Sequence, residues 1–266
     1  MTGVDRIAEA FEAARANGRR AALMPYMMAG FPSLADSRRV AAQYVEGGAD
    51  LIELGIPFSD PLADGPVIHA AAVAALRGGA RVEHAVEVGR AVASEVPVVA
   101  MCYANPILAR GLERFVDLLA GAGFSGLIVP DLPLEEADAT ASACDAAGLA
   151  LVPLVAPTTP EERLQAIGRR ARGFLYTVSV TGTTGERSAL DDGLAGVIAR
   201  ARSSTDVPVA VGFGIGSPEQ AAAAAEAGAD GVIIGSRLVR WAEEDPTGLH
   251  AAVASFAAAL REPALQ

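Results

Sequence analysis

The chain has 266 residues, 52% of them hydrophobic, with a formal net charge of -11 and a pI near 4.8. That size supplies a core for one large α/β domain, and an acidic chain with no basic run excludes a nucleic-acid partner. All 21 basic residues are arginine, and the missing lysine excludes a lysine Schiff base, lysine-bound pyridoxal phosphate and a Walker-type P-loop.

Residues 4–17 predict an amphipathic helix, with no signal-peptide pattern. A strand over 22–29 follows, closed by Gly30-Phe31-Pro32. Ser33 is a candidate N-cap for a helix to about residue 46. A strand over 50–56 leads into the loop PFSDPLADGP, and helices are expected at 67–76 and 82–93. Next come a strand at 96–103, a helix at 112–120, a strand at 126–129, a helix at 135–147 and a strand at 149–156. A helix at 160–170, a strand at 174–180, a polar loop over 181–191 and a helix at 194–202 follow. The chain closes with a strand at 207–213, a helix at 218–227, a strand at 232–234, a short helix at 236–242 and a last helix at 249–260.

The strands are short apolar runs without polar alternation, as expected of strands buried on both faces. Eight of them alternating with helices over this length predict a (β/α)8 TIM barrel with an extra N-terminal helix, a single domain over residues 1–266. An echo between GGADLIELG (47–55) and AGADGVIIG (227–235) supports the barrel over an open doubly wound sheet. The three histidines (His69, His84, His250) have no metal-ligand spacing, and Cys102 and Cys144 suggest no disulfide framework. No apolar run reaches the roughly 18 residues of a membrane span, so the expectation is a cytoplasmic protein.

In such a barrel the active site lies at the C-terminal ends of the strands. Strand alternation puts Leu51, Glu53 and Gly55 on one face and Ile52, Leu54 and Ile56 on the other. A carboxylate among apolar neighbours needs a partner or a raised pKa, so Glu53 is either an acid/base group or a paired structural carboxylate. Asp60 and Asp64 could equally be turn-formers. Tyr103 and Tyr176 at strand ends offer flat walls to an aromatic ligand. The glycine loops at 212–216 and 235–236 end the last two strands, where backbone amides and a short helix can hold a phosphate. The loop 181–191 suits a mobile lid.

Taken in order, ELGIPFSDPLADGPVI, MCYANPIL, VPDLP, TGTTGE, GFGI and IIGS resemble the α subunit of tryptophan synthase over essentially the whole chain. The resemblance implies reversible retro-aldol cleavage of indole-3-glycerol phosphate to indole and glyceraldehyde 3-phosphate. It implies Glu53 as general acid/base and Asp64 as second catalytic carboxylate. Phosphate contacts then fall on Gly185, Gly214, Gly235 and Ser236. The indole pocket falls on Tyr26, Met101, Tyr103, Ile128, Leu154, Tyr176 and Phe213. Asp60, Asn105 and Asp131 resemble residues that signal to the β subunit, expected as an αββα partner carrying the pyridoxal phosphate; no cofactor is expected in this chain. Phe174, Val180, Pro130 and His69 depart from common residues of that family and bear on the pocket and lid. A free-standing lyase and a non-catalytic activator of the β subunit are the alternatives.

Overall fold

The computed structural model describes residues 1–178, 193–212 and 214–262. The expected lid at 181–191, with Val180, lies outside these residues.

A parallel sheet organises the chain: β1 (Ala22–Met28), β2 (Ile52–Gly55), β3 (Val98–Met101), β4 (Gly126–Ile128), β5 (Ala150–Leu151), β6 (Leu154–Val155), β7 (Leu175–Val178), β8 (Val209–Gly212) and β9 (Gly231–Ile234). Their order in the sheet is β5-β4-β3-β2-β1-β9-β8-β7-β6. The two ends, β5 and β6, are one run of chain separated only by Val152 and Pro153, so the sheet closes on itself. Val152 donates its N–H to Leu127 of β4 (2.9 Å), while Pro153, with no N–H, only accepts, from Tyr176 of β7 (3.0 Å). The expected strand over 149–156 is therefore split at its proline, each half laddered to a different neighbour. Counted as one, it makes an eight-stranded TIM barrel among the described residues.

Alternation divides the apolar side chains. Ile52, Leu54 and Ile56, with Val98, Ala100 and Leu127, pack outward under the helices. Met24, Tyr26, Leu51, Val99, Met101, Ile128 and Tyr176 pack inward. The faces expected for 51–56 are those observed. Helix α1 (Gly3–Ala16) opens with a capping box between Thr2 and Asp5 and closes the N-terminal end of the barrel. Its Ile7 and Phe11 join the inner cluster, with the Phe11 ring 6.1 Å from Phe174.

The remaining helices are α2 (Leu34–Glu46), α3 (Pro66–Arg77), α4 (Val82–Val92), α5 (Ala104–Arg110), α6 (Leu112–Ala120), α7 (Asp138–Ala147), α8 (Glu161–Arg170), α9 (Leu194–Ser203), α10 (Pro218–Glu226), α11 (Ser236–Glu244) and α12 (Leu249–Ala259). Ser33 caps α2 as expected, accepting from the Asp36 N–H at 3.1 Å. Two local expectations change. The segment after Pro133 first makes a tight 3-10 turn, Leu134–Glu136, and α7 starts only at Asp138. Helix α5 has no counterpart in the sequence reading. Its Asn105-Pro106 looks like a loop, but Pro106 sits in the first turn, where its missing N–H leaves no bond unmade. Among the described residues no helix is long and apolar enough to cross a membrane.

Candidate active site

Glu53 stands in the middle of β2, in register with Tyr26 of β1 and Val99 of β3. It is 1% exposed, and among the described residues neither carboxyl oxygen has a hydrogen-bond partner. Burial, and secondarily the charge of Asp64, push its pKa up from 4.5 to about 8. No described residue pairs with Glu53 as a structural carboxylate would require, and burial favours its protonated form.

Asp64 lies in the loop after β2 and is half-buried. Burial raises its pKa too, but less, because the Tyr103 hydroxyl donates to Oδ1 at 3.0 Å and the His69 side chain faces it with favourable charge. The Tyr103 oxygen in turn accepts the Ala63 N–H at 3.1 Å. Thus a donor stabilises one carboxylate while the other has none. Environments of this kind drive two acids toward opposite protonation states. Tyr26 and Tyr176 border the same space. Burial and the charges of Asp64 and Glu53 raise both phenols well above their ordinary range, so both stay neutral.

Two glycines make room for those rings. A Cβ on Gly55 would lie 2.1 Å from the Tyr26 hydroxyl, and one on Gly212 would lie 2.4 Å from that of Tyr176. In the sequence Gly212 belongs to a glycine loop suited to phosphate and Gly55 to a strand; the clearance role needs the fold. Phe58, which no sequence motif singles out as a site residue, has its ring 5.4 Å from that of Tyr103 and backs it from the loop side. The only sequence signal for Phe58 was an aromatic residue just past the strand end.

Met101 and Ile128 line the lumen, and Leu154 packs against it half-buried. Gly235 and Ser236 begin α11, whose N-terminus carries no side-chain cap and so leaves first-turn amides available to an anion. Gly214 adopts φ +83, a left-handed conformation that glycine takes without strain. Gly185 and Phe213 lie outside the described residues. Asn105 and Asp131 follow the ends of β3 and β4: the Asp131 carboxylate accepts the Ala104 N–H at 2.9 Å and so caps α5, the helix that carries Asn105. Asp60, exposed, accepts a hydrogen bond from the neighbouring Ser59 hydroxyl. Among the described residues no group of three or more His, Cys, Asp or Glu side chains could hold a metal ion.

The family described as tryptophan synthase alpha chain matches residues 11–264. A tryptophan synthase alpha chain of Synechococcus elongatus is 47% identical over 240 residues, covering 90% of both chains. One of Prochlorococcus marinus is 51% identical over 237 residues, covering 88% of this chain and 86% of its own. Among solved structures, a chain of Mycobacterium tuberculosis tryptophan synthase superposes with a TM-score of 0.91 at 40% identity, covering 97% of this chain and 99% of that one. The alpha chain of Legionella pneumophila superposes with a TM-score of 0.86 at 35% identity, covering 98% and 97%.

Proposed function

The chain belongs to the tryptophan synthase alpha chain family, and from that membership we propose that Glu53 and Asp64 carry its reaction. It is a lyase of tryptophan biosynthesis that cleaves indole-3-glycerol phosphate to indole and glyceraldehyde 3-phosphate. The buried Glu53 in the lumen, with no hydrogen-bond partner among the described residues and its pKa pushed up by burial, supports the division of labour.

Cleavage has three needs. Indole C3 must gain a proton, the adjacent glycerol hydroxyl must lose one, and positive charge that develops on the ring nitrogen must be balanced. Glu53, protonated at neutral pH, gives its proton to C3, and the carboxylate left behind accepts the hydroxyl proton. The electrons of the O–H bond become the carbonyl of the aldehyde, and those of the broken C–C bond return to the ring. Asp64, held as a carboxylate by Tyr103, faces the ring N–H while it is cationic. The apolar walls of Tyr26, Met101, Tyr103, Ile128, Leu154 and Tyr176, with Phe213, take the indole. Gly214, Gly235 and Ser236, with Gly185, take the phosphate on the uncapped end of α11.

The mouth of the barrel carries the partner face in this reading. Leu62, two residues from Asp60, is 83% exposed, and Leu108, on the same helix as Asn105, is 69% exposed. The partner is the β subunit, as an αββα assembly in the cytoplasm, with pyridoxal phosphate held there and no cofactor in this chain. The test is indole release from indole-3-glycerol phosphate by purified protein with and without β subunit. Glu53→Gln and Asp64→Asn should each lose at least about a hundredfold in kcat. Near-normal turnover by either variant would overturn the assignment.

A further inference from the structure

We infer that Tyr103 is the positioning residue that holds the second carboxylate, Asp64, in place and ionised, rather than only a wall of the indole pocket; this rests on the role proposed for Asp64. Asp64 lies in a long loop rich in small residues and proline, PFSDPLADGP, which by itself fixes no side-chain direction. A carboxylate that must meet a ring N–H needs its geometry set beforehand, because misplacement by an ångström costs about a hundredfold in rate.

The phenol sets it from both sides. Its hydroxyl donates to Asp64 Oδ1 at 3.0 Å and accepts the N–H of Ala63, the preceding residue, at 3.1 Å. The loop is therefore gripped at backbone and side chain by a single oxygen. That oxygen is itself anchored: Tyr103 is 3% exposed, its ring is backed by Phe58 at 5.4 Å, and it is the N-cap residue of α5. The next amide, Ala104 N–H, is pinned by Asp131 at 2.9 Å. The phenol thus stands at the end of β3 and reaches a loop 39 residues away in sequence.

The hydrogen bond has a direction as well as a length. With the Ala63 N–H occupying its lone pair, the hydroxyl proton is left to point at the carboxylate. Donation to an anion favours the charged form and offsets the burial that raises the Asp64 pKa. Burial and the Asp64 charge push the phenol's own pKa upward, so it keeps that proton throughout the working pH range.

The test is Tyr103→Phe, assayed for indole release with β subunit present, with kcat normalised to active sites. The ring and its contact with Phe58 remain, so indole binding should change by less than about twofold in KM, while kcat falls by about 10- to 100-fold. The acid limb of kcat/KM, set by Asp64, should move to higher pH because the carboxylate has lost a donor. KM and the limb position do not depend on how much of the variant is folded. In a double-mutant cycle, Asp64→Asn/Tyr103→Phe should be no slower than Asp64→Asn alone, since the phenol acts through that carboxylate. An unchanged kcat and acid limb, a raised KM with unchanged kcat, or fully additive losses would each overturn the inference. A fully active Asp64→Asn would instead sink the catalytic reading on which it rests.

Discussion

Replacing Glu53 with glutamine should inactivate the enzyme and stabilise its fold, with a pH dependence that identifies the cause. The carboxyl is buried with no partner among the described residues, and its pKa rises from 4.5 to about 8 on folding. Below pH 4.5 both folded and unfolded chains hold the proton, and the group contributes no difference. As pH rises above 4.5 the unfolded chain releases the proton while the folded chain keeps it, so folding is progressively disfavoured until the pH reaches about 8. At roughly 1.4 kcal/mol per pH unit, the penalty is about 3 kcal/mol at pH 7 and about 5 kcal/mol above pH 8. Glutamine has nearly the same shape and cannot ionise, so it removes the penalty. Its amide is left as unpartnered as the neutral carboxyl was. Denaturant unfolding of both proteins at pH 4.5, 7 and 8.5 should show near-equal stability at the lowest pH. At pH 7 the gain corresponds to roughly 6–12 °C in Tm for a chain of this size. A gain of the same size at every pH, or a variant less stable at pH 7, would refute the reasoning.

Asp64→Asn keeps the hydrogen-bonding shape but removes the charge, and should lower kcat about 10²- to 10⁴-fold with little change in KM, measured by steady-state indole release. Gly55→Ala places a methyl group 2.1 Å from the Tyr26 hydroxyl. It should cost about 1–3 kcal/mol in urea unfolding and displace the ring beside Glu53, lowering kcat as well. An unaltered Tm and rate would mean that the ring is free to move away. Asp131→Ala removes the cap of α5 and should cost about 1 kcal/mol. The rate stimulated by β subunit should fall more than the rate of the isolated chain, a comparison made in one titration with β subunit.

The barrel was legible in the sequence because its strands are short apolar runs and its helices carry stops and caps such as Ser33 and Gly47. The division of residues 51–56 between lumen and helix layer followed from the period of two alone. What escaped was set by partners distant in the chain. Helix α5 has an unpromising Asn-Pro start, and its cap is Asp131, which is 27 residues away. The split at Pro153 appears only when the strand has a neighbour on each side. Glu53 stood out early, since one acid in an apolar strand demands a reason. Asp64 remained a choice between turn and catalyst because nothing adjacent to it shows that a phenol on the next strand reaches it. The clearance roles of Gly55 and Gly212 are invisible until the two tyrosines lie across them.

The most direct test of Glu53 as the proton-holding acid is the pH dependence of kcat/KM for indole release with saturating β subunit, which reports groups of the free enzyme. The profile should be level near neutrality and fall about tenfold per pH unit above about 8, where the Glu53 proton is lost. A profile that rises through pH 8, or stays level well beyond it, would contradict the assignment of that proton to Glu53.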